Sequence, residues 1–194
     1  IEDEVKEKLD SSNQWLWRMN RRKLSAEEMR DSVLMVSGKL NLKMGGPGFY
    51  LFNLEHTAHS PHYYYHKFDP EDEKSHRRSI YRFVVRSQPN PFMTTLDCAD
   101  SSQSTPRRNE TLTALQALSL LNNKFTLVMA RHFADRLAGE EEKITRQVEL
   151  GFELVAGRPP SAEEQGLLSE YASRHGMANL CRSLFSLSEF AFID

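Results

Sequence analysis

ETLTALQALSLLNNKFTLVMARHFADRLAG, residues 110–139, is the stretch from which the architecture can be worked out. Leu112, Leu115, Ala117, Leu118 and Leu121 recur at helical spacing, the pattern halts at Asn122 and Asn123, and it resumes with Phe125, Val128, Met129, Phe133 and Leu137. A recurrence every three to four residues is what one face of a helix buries, whereas a half-buried strand would alternate. The spacing predicts two helices, or one with a bend, over 111–138, with those two apolar sets facing a core.

Working downstream, Ile144, Val148, Gly151, Phe152 and Val155 predict a helix over 142–157 that stops before Pro159 and Pro160. Ser161-Ala162-Glu163-Glu164 has the form of a capping box, and it opens a helix over 162–175 that runs to Gly176. Leu180, Leu184, Leu187 and Phe190 predict a last helix over 177–190. Upstream, Ser25-Ala26-Glu27-Glu28 is a second capping box, and Met29, Val33, Val36 and Leu40 extend its helix over 26–40. Trp15, Leu16 and Met19 suggest a short helix packed on the same core. SAEE at both 25 and 161 reflects common capping chemistry and is not read as an internal repeat.

Two segments lack any such period, 45–75 and 88–110. In MGGPGFYLFN (44–53), glycines around Pro47 mark a turn or shaped loop, and no Lys-Ser/Thr comes after it to make it a phosphate cradle. SHRRSIYRFVVRS (75–87) fits a helix or a strand; Ser75 as a cap favours helix, and Pro89 and Pro91 end it. The expected fold is mainly α, an irregular helical domain with two long ordered loops and room for one short strand pair. It is expected to be a single domain over 1–194, an excised piece of a larger multidomain protein, because the chain opens on Ile1 directly into a charged stretch.

The composition narrows the function classes. With 194 residues, 39% apolar and 10% aromatic, the chain can supply a core. Twenty-five basic against 27 acidic residues, a formal charge of −2, give no electrostatic reason for a nucleic-acid partner. No window approaches the ~20 apolar residues of a membrane span. Cys98 and Cys181 form no CxxC or zinc spacing and are read as two semi-buried thiols, a single bridge between them being left open.

RMNRRKLSAEEMRDSVLMVSGKLN, MGGPGF, the block HRRSIYRFVVRSQPNPFMTTLDCADSSQSTPRRNETLTALQALSLLNN and the closing GRPPSAEEQ and LCRSLFSLSEFAFID resemble a planctomycete-type domain of unknown function, number 1553. The resemblance runs over nearly the whole chain. It implies a C-terminal place in an exported parent protein, periplasmic or cell-surface, an accessory role beside a redox or polymer-degrading system, and other domains of the parent as partners. It brings no activity. Related proteins often carry a c-type haem domain upstream, but this chain has no CxxCH, so covalent haem is not expected in it.

Glu55–His76, EHTAHSPHYYYHKFDPEDEKSH, gathers five of the seven histidines beside three consecutive tyrosines. His56, His59, His62 and His66, spaced three, three and four, have the right donors for zinc, copper or iron. Pro61 and the lack of HExxH argue against the helical arrangement such spacing would need. The leading expectation is a non-catalytic accessory or binding domain without cofactor, with Tyr63, Tyr64, Tyr65, His62 and His66 meeting a partner domain or an extracellular glycan. The alternative is a metal-dependent enzyme domain built on the four histidines.

In LDCADSSQSTPRRNET (96–111), Asp97 and Asp100 lie near Arg107 and Arg108, with Arg77, Arg78 and Arg86 in the preceding element. Intramolecular loop staples account for them. Gln116, Asn122 and Asn123 are expected to satisfy backbone groups of neighbouring loops, and Cys98 to be a packing thiol and not a nucleophile. No catalytic residue is assigned.

Overall fold

The computed structural model describes residues 4–193. These residues form a mainly α structure with nine α-helices and two two-stranded sheets. α1 (Glu4–Leu9) is exposed. Beyond it the chain turns, where a short helix was expected. The Asp10 carboxylate accepts the N–H groups of Gln14 and Trp15 at 2.9 and 2.8 Å, and the Trp17 indole donates to the Asp10 carbonyl at 2.9 Å. These local bonds offer the backbone an alternative to helix, and they leave Trp15 and Leu16 both 77% exposed instead of packed on the core.

β1 (Arg22–Lys23) pairs antiparallel with β4 (Phe192–Ile193), so the chain's last described residues lie beside the entry to α2 (Ala26–Val36). The capping box at Ser25 and Glu28 forms as the spacing predicts. α2 ends at Val36, short of the expected 40, because Gly38 takes φ +73° and the amides of Lys39 and Leu40 both turn back to the Leu34 carbonyl.

The segment 75–87 is not the expected helix. A single 3-10 turn, Ser79–Tyr81, precedes extended chain in which Phe49 donates to the Tyr81 carbonyl and accepts from the Phe83 amide. Ser75 does not cap; its hydroxyl donates to the Asp72 carbonyl. The β propensity of IYRFVV thus finds a partner strand residue at Phe49. Within 45–75, β2 (Asn53–His56) and β3 (Pro61–Tyr64) form a hairpin, and within 88–110, α3 (Pro91–Thr95) starts on a proline after the Asn90 cap.

The stretch 110–139 gives two helices, α4 (Ala114–Asn122) and α5 (Lys124–Glu140), separated at Asn123, whose N–H closes one and whose side chain caps the other. α5 buries Phe125, Val128, Met129, Phe133 and Leu137 as expected. α4 is turned the other way: Leu112, Leu115 and Leu118 are 79, 68 and 53% exposed, while Gln116 and Leu120 are buried. A third capping box, Thr113 with Gln116, and the buried partners of Gln116 set that orientation.

α6 (Ile144–Ala156) and α7 (Ala162–His175) fall where the spacing puts them, with Gly157 left-handed at the end of the first and the Ser161–Glu164 box opening the second. The expected last helix is two, α8 (Met177–Leu184) and α9 (Ser188–Ala191). The break lets Phe185 stack between Phe133 and Phe190, at 5.9 and 5.6 Å between ring centroids. The main core joins α2, α3, α5, α6 and α8, and Phe49, Leu51, Phe52 and Val85 are buried outside it, Phe52 against Tyr63 of the hairpin.

Candidate functional site, an aromatic hairpin above a buried arginine

α2 supplies the link between helical base and irregular half. Arg30, 1% exposed, donates to the carbonyls of Ser75 and Arg77 and to the Ser79 hydroxyl. Its guanidinium lies 5.1 Å from the Phe49 ring centroid and 5.4 Å from that of Phe125. Burial draws its pKa down to about 10, which still leaves it charged at neutral pH. Asp31 takes the Ser79 amide and hydroxyl. No reading of the loops alone finds Arg30; the available signal is an arginine between Ala26 and Leu34 on the apolar side of a helix, where a charge must have partners.

The hairpin sorts its rings by the two-residue period of a strand. Asn53 faces Tyr64 and Glu55 faces His62 on one side; Leu54 faces Tyr63 and His56 faces Pro61 on the other. Tyr63 and Tyr65 meet the buried Phe52 edge-on at 5.1 and 5.5 Å. The Tyr65 hydroxyl donates to the Gln88 carbonyl at 2.6 Å, and the Gln88 side chain returns a bond to the Tyr63 carbonyl. Burial raises the Tyr65 pKa. On the outward side His62 stacks on Tyr64 with rings 18° apart, and His66 meets Tyr64 edge-on at 5.7 Å. Lys67 Nζ sits 4.1 Å from the Tyr64 centroid and 2.8 Å from Glu55, whose hydrogen bond raises the lysine pKa.

The five expected binding residues are therefore contiguous but divided, Tyr63 and Tyr65 as anchors and His62, Tyr64 and His66 as an outward row, of which His66 also borders the cavity. The four histidines of the metal alternative are not gathered. His56 and His62 are on opposite faces of the hairpin, and His59 lies in the turn closed by Thr57 and Ser60. Among the described residues no three His, Cys, Asp or Glu side chains are grouped so as to hold a metal ion.

Between the residues that flank the hairpin and the helices lies a cavity of about 270 Å³. Arg30 and Asn123 contribute from the helical side, Tyr65, His66 and Phe68 from the segment after the hairpin, and Asn90 to Phe92 from the start of α3.

The 96–111 loop is stapled, though by other partners than the arginine pairs expected for Asp97 and Asp100. Asp97, at φ +64°, accepts from Lys23 Nζ, the Thr111 amide and hydroxyl, and Gln116 Nε2. Burial pushes its pKa up, but these donors outweigh that and leave it lowered. Asp100 caps Ser102, and Arg108 takes Glu27 at 2.6 Å. Cys98 and Cys181 are free thiols. Burial raises both, Cys181 to about 12, and Glu27 adds to the effect at Cys98.

No helix of the described residues is long and apolar enough to cross a membrane. No curated protein and no solved structure matches the chain. The hairpin, the cavity beside it and the stapled loop all lie within residues 2–172, the stretch that fits the model of PSD1, protein of unknown function (DUF1553), and the chain belongs to that family.

Proposed function

We propose that this chain is a non-catalytic accessory domain of an exported multidomain protein, and that the outward row of the hairpin is its contact surface for a neighbouring domain of the parent. The observation that carries this is the sorting of the rings: Tyr63 and Tyr65 are pinned to Phe52, which fixes His62, Tyr64 and His66 as one exposed or half-exposed row. Rings with apolar bodies and polar tips, held rigid before contact, lose little entropy on binding. Lys67 covers part of the Tyr64 face, which favours a protein surface over an extracellular glycan needing that face for stacking. The carboxylates that could act as acid and base are engaged within the chain, Asp97 by Lys23 and Thr111, Glu27 by Arg108. Placement of the parent in the periplasm or at the cell surface rests on the family resemblance.

The test is titration of this chain with the neighbouring domain of its parent polypeptide, followed through the histidine ring resonances. The His62 and His66 signals should shift, and the double variant His62→Ala, Tyr64→Ala should bind at least ~10-fold more weakly. Unchanged affinity in that variant contradicts the proposal. Binding of an oligosaccharide in place of the domain, lost in the same variant, reassigns the surface to a glycan.

A further inference from the structure

We infer that the cavity beside the hairpin is a binding site for a small organic carboxylate with an apolar or aromatic body. The charge of its wall is one-sided. Arg30, buried to 1% exposure, is in that wall, and none of the lining residues is acidic. The described ion partner of Arg30 is Asp31, 3.5 Å away, and Ser79 already donates twice to that carboxylate. The other acceptors of Arg30, the carbonyls of Ser75 and Arg77 and the Ser79 hydroxyl, are neutral, so its hydrogen bonds are met but its charge faces a single carboxylate, which favours a further anion.

The neutral polar groups point to the same chemistry. Asn90 and Asn123 spend their side-chain oxygens as helix caps, accepting from the Met93 and Phe125 amides at 3.1 and 2.9 Å. Their remaining side-chain groups are N–H donors. Asn123 also opens α5, a 17-residue helix with no acidic residue in its first turn, so the positive end of its dipole adds to the field of Arg30. The two asparagine amides thus provide donors whose own oxygens are spent on the caps.

Leu51, Phe68, Pro91, Phe92 and Phe125 supply apolar wall, with the rings of Tyr65 and His66 completing the lining. Inorganic phosphate would strand that surface against a hydrated ion, whereas a carboxylate on a ring or branched chain uses both halves. At about 270 Å³ the space is at the low end for a ligand pocket and suits one such group. The group can be a free acid or the carboxyl-terminal residue of another chain, which share this chemistry.

Saturation-transfer and intermolecular NOE measurements with benzoate, benzyl alcohol, N-acetylphenylalanine and its amide test the site. Benzoate should bind at least ~10-fold more tightly than benzyl alcohol, the return expected from a charge-assisted hydrogen bond, and show NOEs to the Phe92 and Phe125 rings. Leu51→Trp should fill the space and abolish binding, while His62→Ala with Tyr64→Ala, on the outward row, should leave benzoate binding unchanged. Tighter binding of N-acetylphenylalanine than of both its amide and benzoate assigns the carboxylate to a chain terminus; the reverse assigns it to a free acid. No transfer signal at about 10 mM, equal binding of acid and alcohol, or NOEs to other rings would overturn the inference.

Discussion

Asp31 accepts both the backbone N–H and the hydroxyl of Ser79, at 2.8 and 2.7 Å, across a separation of 48 residues. With Arg30 beside it on α2, this places two adjacent helical residues in charge of docking the irregular half. Hydrogen bonds to a charged group contribute ~1.5–3 kcal/mol, and the amide would be left without a partner. Asp31→Ala should therefore lower unfolding free energy by about 2–3 kcal/mol, and Ser79→Ala, which loses the hydroxyl's bonds to Asp31 and Arg30, by about 1.5–3 kcal/mol, in urea titrations. Equal, near-zero effects would show that the clamp is not what holds the two parts.

Gly151 and Gly166 should respond oppositely to alanine. A Cβ at Gly151 would sit 2.9 Å from Leu137 Cδ1, and Leu137 is fully buried; at Gly166, on exposed α7, nothing lies within 4 Å. Overpacking costs ~1–3 kcal/mol, against a helix-propensity gain of up to ~1 kcal/mol. Thermal unfolding should show Gly151→Ala destabilised and Gly166→Ala stabilised by about 0.5–1 kcal/mol. A gain at both positions would mean that α6 and α5 are not packed as described.

Acid should weaken the two capping boxes that carry arginine partners. Hydrogen bonds from Arg22 and the Ser25 cap hold Glu28 at about 2, and those from Arg158 and the Ser161 cap hold Glu164 at about 2, against 4.5 for each unfolded. Because the folded values are depressed, this contribution is complete above pH 4.5 and is lost as pH falls towards 2. Both sites are solvent-accessible, so added salt should reduce the effect. Glu28→Gln and Glu164→Gln should flatten the fall in melting temperature over that window; an unaltered slope in the double variant would assign acid sensitivity to other groups.

Lys23 and Asp97 form the least exposed acid–base pair of the stapled loop, with side chains 9% and 15% exposed and 3.0 Å apart. Removing the cation alone leaves the carboxylate its Thr111 and Gln116 donors but no opposite charge, at a cost of about 1.5–3 kcal/mol. In a double-mutant cycle with Lys23→Met and Asp97→Ala, the coupling should be at least ~1 kcal/mol. Additive losses would show that Thr111 and Gln116, and not Lys23, carry the loop.

The helices of the back half were legible because their signals are local: the capping box at Ser161 and the proline pair at 159–160 bound α6 and α7 correctly. α4 was misread in its facing, since Leu112, Leu115 and Leu118 outnumber the residues that in fact turn inward. What orients α4 is Gln116 meeting Lys23 and Asp97, contacts 93 and 19 residues away that no window of the sequence contains. The turn at 10–20 failed for the opposite reason, a single Asp10 capturing amides that the apolar spacing of Trp15 and Met19 had suggested for a helix. In the hairpin, the chemistry of rings and donors was evident in Tyr63–Tyr65, but whether they act together depends on strand alternation, and that required the register with Asn53–His56. Arg30, the centre of the cavity wall, carries no motif.

Hydrogen exchange at the amides of 53–64, measured before and after exhaustive treatment with a chelator, tests most directly whether the ring-bearing hairpin is held in place by its own chain contacts without a metal ion. The ladder bonds and the contacts of Tyr63 and Tyr65 with Phe52 and Gln88 should give these amides protection that the chelator leaves unchanged. Protection that collapses when metal is withdrawn, and returns on adding zinc, would contradict the account.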